Sequence, residues 1–301
     1  MKFSCLVTNP PYQDSSHTEK KNTLWRKWLD FESLVNDNGV FCLHHPSSWM
    51  GSKPILTKHF LKKSKVKNNI VYINRDECKR HYPGIGSFFS YYVIVKQPYN
   101  NQTTIKSKNM NGEIVSLKIN LNEVLIDVFP RDLSQVGVAL QKKLFNLPKL
   151  GILNNTYCHG VKKTHWRTHN EGQFMYPIQR NMKQVIFFDY PHPDQNTPKL
   201  LIPTTTHYKN MFITTNGPSQ SFCYFNIPEH VEPNVVLHNI NNKLFDYLNE
   251  CFRYSNWNSV QLLRKLPRIP FNQMMTDQDV YDFFELTPEE INHIETIVTW
   301  R

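Results

Sequence analysis

Glycine is scarce in this 301-residue chain, with ten residues and none beyond Gly217. A glycine-rich loop is therefore excluded from everything that follows Gly217. Gly84-Ile85-Gly86 is the only Gly-x-Gly, and it lies ten residues past the apolar run Ile70–Asn74. It opens into another expected strand rather than a helix, so it reads as a turn and not as a phosphate cradle. The six cysteines are scattered and contain no Cys-x-x-Cys pair. That spacing argues against a disulfide or zinc framework and for free thiols in a reducing compartment. No run is long and apolar enough to span a bilayer, and no secretory or lipidation pattern is present. A soluble cytoplasmic protein, not bound to a membrane, is the expectation. There is no internal repeat, and the only low-complexity stretch is the Lys-rich Lys62–Lys67.

Negative charge is also thin where it matters. Residues 1–150 carry 22 basic and 11 acidic side chains, against 13 and 14 in residues 151–301. The acidic residues of the second half crowd beyond Asp277, which leaves residues 151–274 mildly basic as well. Such a balance suits a polyanionic partner.

What is present is organised around Asn9-Pro10-Pro11-Tyr12. It follows Phe3–Thr8, an apolar run that reads as a buried strand. The two prolines fix φ near −65° and donate no N–H, so the turn is stiff and its carbonyls point outward. The Asn9 side-chain oxygen and the Pro10 carbonyl can both accept from one planar NH₂ group. Tyr12 can lie flat on the ring that carries this group. The arrangement aims an exocyclic amine, lone pair first, at an electrophilic methyl group.

These four residues resemble the catalytic motif of S-adenosylmethionine-dependent amino-methyltransferases that make N6-methyladenine in DNA. The same signature occurs in enzymes acting on RNA bases and on a glutamine amide of proteins. The order of elements that follows extends the resemblance over residues 1–145. Leu24, Trp25, Trp28, Leu29, Phe31 and Val35 fall at helical spacing, and Asn38-Gly39 predicts the end of that helix at a C-cap glycine. Val40–His44 is a second strand, leading into Pro46-Ser47-Ser48-Trp49. Ser52-Lys53-Pro54 opens a predicted helix to about Ser64. Ile70–Ile73 and Phe88–Val95 are further strands. Gly39 through Trp49 and Phe88-Phe89-Ser90-Tyr91-Tyr92 match places in the family's pattern. The resemblance implies that Phe88 or Phe89 holds the face of a flipped-out base opposite Tyr12.

Asn111-Gly112, between Thr103–Lys106 and Ile114–Ile119, signals a hairpin turn. Ser134–Phe145 reads as a helix, and Leu147-Pro148 ends it. Residues 150–275 then change character, with recurring proline, asparagine and threonine. Trp166, Phe174, Tyr176, Phe187, Phe188, Tyr190 and later aromatics are interleaved with polar residues. That suits an irregular β-rich module offering aromatic, Arg and Lys side chains to base edges and phosphates. Lys162, Lys163 and Arg167 are the best local candidates for contact with a DNA backbone. Helical periodicity returns from Asn242. Thr287-Pro288-Glu289-Glu290 combines an N-cap, a proline at N1 and a capping-box Glu. Lys243-Leu244-Phe245, Leu266-Pro267-Arg268-Ile269-Pro270 and Tyr281 to Ile291 resemble the target-recognition portion of single-chain type II restriction-modification adenine methyltransferases.

One departure from the family matters. Its members bind the methyl donor with a glycine-rich loop upstream of the catalytic motif, and here only eight residues precede Asn9. The expected fold is therefore α/β, a partial Rossmann-like methyltransferase sheet (the second half of the doubly wound fold) followed by an α+β target-recognition domain. The expected domains are residues 1–148, 149–275 and a capping helix in 276–301. The function implied is methyl transfer from S-adenosylmethionine to N6 of a flipped-out adenine in double-stranded DNA, as part of a restriction-modification system. The donor-binding half is expected on a protein partner, or the open edge of Phe3–Thr8 is covered by self-association. A non-catalytic DNA-binding or specificity subunit, and an RNA-base methyltransferase, are the alternatives. Other chemistry is poorly supported. Cys158, His159, His165 and His169 fit no common zinc spacing. Glu77-Cys78-Lys79 lacks an acidic residue on a preceding strand, as a nuclease would need. His44-His45 stands without a sequence-adjacent nucleophile or carboxylate.

Overall fold

A computed structural model describes residues 2–10, 24–46, 69–74, 89–108, 110, 113–120, 130–155, 157–158, 160–205, 210–253, 258 and 260–299. Pro11, Tyr12, Phe88, the turn Gly84–Gly86, the expected helix from Ser52 and the Asn111-Gly112 turn lie outside the described residues. The chain divides into two compact units, Met1–Ser134 and Gln135–Arg301. Among the described residues no helix is long and apolar enough to cross a membrane.

The first unit is a six-stranded sheet. Its strands are β1 (Phe3–Thr8), β2 (Val35–Pro46), β3 (Asn69–Asn74), β4 (Phe89–Val95), β5 (Thr103–Lys108) and β6 (Ile114–Ile119), in the order β1-β2-β4-β3-β5-β6. The sheet is mixed rather than uniformly parallel. β1 runs parallel to β2 and β3 parallel to β5, while β4 is antiparallel to both its neighbours and β6 to β5. The interior strands bury Phe41, Leu43, Ile94 and Ile105. β6 alternates exposed and half-buried residues, as an edge with one wet face should. β1 is the other edge, and no described strand pairs with its outer side.

The expected α-helix ending at Gly39 is corrected. Leu24–Leu34 winds as a 3₁₀ helix, and Val35 already belongs to β2. Val35 is fully buried and pairs with Phe3, so a long-range contact overrides the local helical spacing. The register then slips, and the next pair is Cys5 with Val40. Asn38, at φ +64°, takes the left-handed position expected of Gly39. Gly39 serves close approach instead: a Cβ there would lie 2.5 Å from Val35 Cγ1 and 3.0 Å from the Ser4 carbonyl oxygen.

The second unit begins with helix α1 (Gln135–Phe145), which a boundary at residue 148 would have placed in the first. Its Leu140 and Leu144 are buried, and it packs on the C-terminal helix. Two four-stranded sheets follow. One, ordered β13-β9-β10-β8, consists of β8 (Trp166–Arg167), β9 (Tyr176–Asn181), β10 (Gln184–Phe188) and β13 (Gly217–Pro218). The other, ordered β12-β11-β14-β7, consists of β7 (Leu153–Asn154), β11 (Lys199–Pro203), β12 (Phe212–Thr214) and β14 (Phe222–Asn226). Every residue of β11 is buried, Lys199 included. Its ammonium donates to the carbonyls of Thr197 and Thr215, and burial pushes its pKa down to about 8.

Helices α2 (Pro233–Ile240), α3 (Lys243–Phe252), α4 (Val260–Leu263), α5 (Asp277–Phe283) and α6 (Pro288–Ile297) complete the unit. Helix thus resumes at Pro233 rather than Asn242, and residues 276–301 hold two helices rather than one. The Thr287 capping box forms as its sequence dictates. Glu290 N–H donates to Thr287 Oγ1 at 3.2 Å, and Thr287 N–H donates to Glu290 Oε2 at 2.8 Å. Thr276 and Asp279 build the same device at the start of α5.

Candidate active site and basic surface

Asn9 sits one residue past the carboxyl end of β1. Thr8 and Pro10 on either side are buried while Asn9 is exposed, so strand alternation turns its amide outward. The register Thr8 to Leu43 sets Asn9 beside His44 on β2, and Thr8 Oγ1 donates to the Cys42 carbonyl at 3.4 Å. The His44 Nδ1 lies 3.2 Å from Asn9 Oδ1. On its other flank the imidazole stacks on the Phe89 ring, with centroids 5.6 Å apart and planes 8° from parallel. His44 pairs with Tyr91 and Pro46 with Phe89 across β2 and β4. Three neighbouring strand ends therefore bring Asn9, His44 and Phe89 into one row.

His44 is the residue that sequence reasoning passed over. Its partner is an amide 35 positions away, and no nearby nucleophile or carboxylate advertised it. A signal was available: His44 follows its apolar run at the strand end as Asn9 follows Phe3–Thr8. Half-burial pushes the imidazole below the ordinary histidine value. Phe89 is buried, and the His44 ring stacks on it.

Gly39 is the only described glycine of the first unit, and its Cβ space is filled by Val35 and backbone oxygens. Among the described residues no group of three or more His, Cys, Asp or Glu could hold a metal ion.

In the second unit Lys162 and Lys163 are exposed at the start of a short 3₁₀ turn, Lys163–His165, that leads into β8. His165 Nδ1 lies 3.1 Å from Asp189 Oδ2. The Arg167 guanidinium covers the Phe174 ring, 4.2 Å from its centroid. Its Nη1 donates to the carbonyls of Lys163 and Trp166. Arg180, which the sequence did not single out, lies 5.0 Å over the Trp166 ring. It is the last residue but one of β9, just before the hairpin turn at Asn181–Gln184 and near the exposed Lys183 in sequence. Trp166 and Arg167 are adjacent on one strand, so these two stacks occupy opposite faces of the sheet.

No family model and no curated protein matches the sequence. Solved structures share parts of the fold loosely. They include the type IIL restriction-modification enzyme MmeI in complex with DNA, at 12% identity and TM-score 0.46, covering 87% of this chain and 46% of that one. The DrdV–DNA complex matches at 12% identity and TM-score 0.42, over 94% of this chain and 39% of that one. The type IIG restriction endonuclease BpuSI matches at 9% identity and TM-score 0.38, over 93% and 44%. The chain spans less than half the length of each. The functional reading below rests on the chain's own residues.

Proposed function

We propose that this chain is the base-binding and DNA-recognition part of an adenine-N6 DNA methyltransferase of a restriction-modification system. The observation that carries the reading is Asn9-Pro10 at the end of β1, its amide oxygen held by His44 at 3.2 Å. The adenine amine is buried in a duplex, so the base must leave the stack at a cost of a few kcal/mol. Asn9 Oδ1 and the Pro10 carbonyl accept from the amine and orient its lone pair. Pro11 stiffens the turn, Tyr12 stacks on one face of the base, and Phe88 or Phe89 closes the other. S-adenosylmethionine would supply an electrophilic methyl group when bound. The adjacency of β3 and β4 as an antiparallel pair supports the reading, since the family carries a hairpin there.

The test uses the full chain, alone and co-expressed with the reading frame upstream of it. Each preparation receives labelled donor with duplex DNA or with RNA, and the modified base is mapped. N6-methyladenine in DNA is the expected product. Label confined to RNA would replace the substrate, and no transfer with donor binding absent from both preparations would leave a non-catalytic DNA-binding subunit.

The edge strand makes a second expectation. Phe3 is 42% and Val7 72% exposed on β1, a hydrophobic edge without charge or proline along it. Such an edge templates pairing with another strand. The chain should associate there with a polypeptide that supplies the donor-binding strands, or with a second copy. Size-exclusion chromatography with light scattering should give a mass above 35.7 kDa, and Val7→Lys should reduce it toward the monomer. A wild-type monomer whose Phe3–Thr8 amides resist hydrogen exchange would show the edge already covered.

The basic surface of the second unit makes a third. If Lys162, Lys163 and Arg180 meet phosphates, each removal lowers the slope of log affinity against log salt by about 0.9. The triple change to Ala should therefore flatten it by about 2–3 units, uniformly across DNA sequences. An unchanged slope would move the DNA surface elsewhere.

A further inference from the structure

We propose that His44 is a positioning residue that fixes which end of the Asn9 amide faces the substrate, an inference that rests on the methyltransferase reading above. A carboxamide oxygen only accepts hydrogen bonds, so the ring nitrogen 3.2 Å from Asn9 Oδ1 must carry the proton. Turning the amide over would set its NH₂ against that N–H, donor against donor. His44 thereby keeps the oxygen on the side where its second lone pair can accept from an amine. A reversed amide would present a donor to a donor there and repel the substrate.

The imidazole is itself held in place. Its backbone lies in β2, paired with Tyr91 of β4, and its ring is stacked nearly flat on the buried Phe89. Asn9 is exposed, and strand pairing stops at Thr8. Half-burial disfavours the charged ring. The chain of support runs from Phe89 through His44 to Asn9, across three strands of one sheet.

Two substitutions separate this role from simple packing. His44→Phe keeps a flat ring against Phe89 and removes the donor. His44→Asn loses the ring and restores an N–H near the former Nδ1. Positioning predicts about a 10- to 100-fold lower kcat for His44→Phe with KM little changed, and recovery to within about 5-fold for His44→Asn. In an Asn9→Ala background, His44→Phe should add no further loss. The reverse ranking, with Phe active and Asn inactive, would reduce His44 to a packing residue.

A second measurement does not depend on turnover. Long-range ¹H–¹⁵N correlation of the imidazole in the full chain should show the Nδ1–H tautomer, replaced by a mixture in Asn9→Ala. An Nε2–H tautomer in the wild type would overturn the proposal. An inactive wild-type assembly with the expected tautomer would instead sink the methyltransferase reading and leave the contact standing.

Discussion

Replacing Asn9 with alanine is expected to lower methyl transfer by about 100- to 1,000-fold, the range seen when one preorganised polar group is removed from a reacting centre. Affinity for DNA should change less than about twofold, because no phosphate contact is assigned to this side chain. The split follows from position. Asn9 projects outward between two buried neighbours at the end of an edge strand, so shortening it opens no core cavity. On the proposed function, what disappears is the acceptor that holds the amine. The acceptor is worth more in the transition state than in the ground state, since the lone pair must then point along the forming bond. Loss should therefore appear in kcat more than in KM. Full activity in Asn9→Ala, measured in the assembled enzyme by mapping N6-methyladenine, would remove the motif from the chemistry.

The largest effect on stability is expected at Asn239, on the buried face of α2. Its side chain is fully enclosed and completely satisfied. Nδ2 donates to the carbonyls of Pro270 and Gln273, each at 2.8 Å, and Oδ1 accepts from Met275 N–H at 2.9 Å. One amide thus pins the segment that follows Leu266–Pro270, while the backbone carbonyl of the same residue accepts from Asn242, the N-cap of α3. Asn239→Ala removes the partner of two part-buried carbonyls and of one buried N–H. Each unmade bond costs about 1–3 kcal/mol, so a loss of roughly 3–5 kcal/mol is expected. For a unit of this size the melting temperature should fall by about 10 °C or more. Urea unfolding of the full chain, with hydrogen exchange read at α2 and at Met275, is the check. A loss under about 1 kcal/mol would mean that water reaches these groups and that the segment is held elsewhere.

Local rules were readable where both partners lie within a turn of each other. The Thr287 capping box is an i to i+3 arrangement, and it formed at the residues that its spacing marked. The strands β1, β5 and β6 follow from short apolar or alternating runs, and α1 from the spacing that buries Leu140 and Leu144. Such patterns name an element without naming its neighbour. The spacing of Leu24 to Val35 shows the limit. It suits an α-helix, yet Val35 pairs with Phe3 in the sheet and is fully buried there.

By itself, then, the sequence determined an Asn-Pro-Pro-Tyr motif after an apolar strand, a basic first half, scattered cysteines rather than a Cys-x-x-Cys site, and the N-cap of the last helix. Tertiary structure alone decided that Asn9 meets His44, that His44 stacks on Phe89, and that Arg180 covers Trp166. The reason is register. β1 and β2 pair with a slip between Phe3 and Cys5, where the left-handed Asn38 and the close-packed Gly39 take up the extra residues. That slip sets which side chains stand side by side, and in strands a shift of one residue sends every side chain to the opposite face. No local pattern encodes such an offset, because it is fixed only when residues far apart in the chain close on one another.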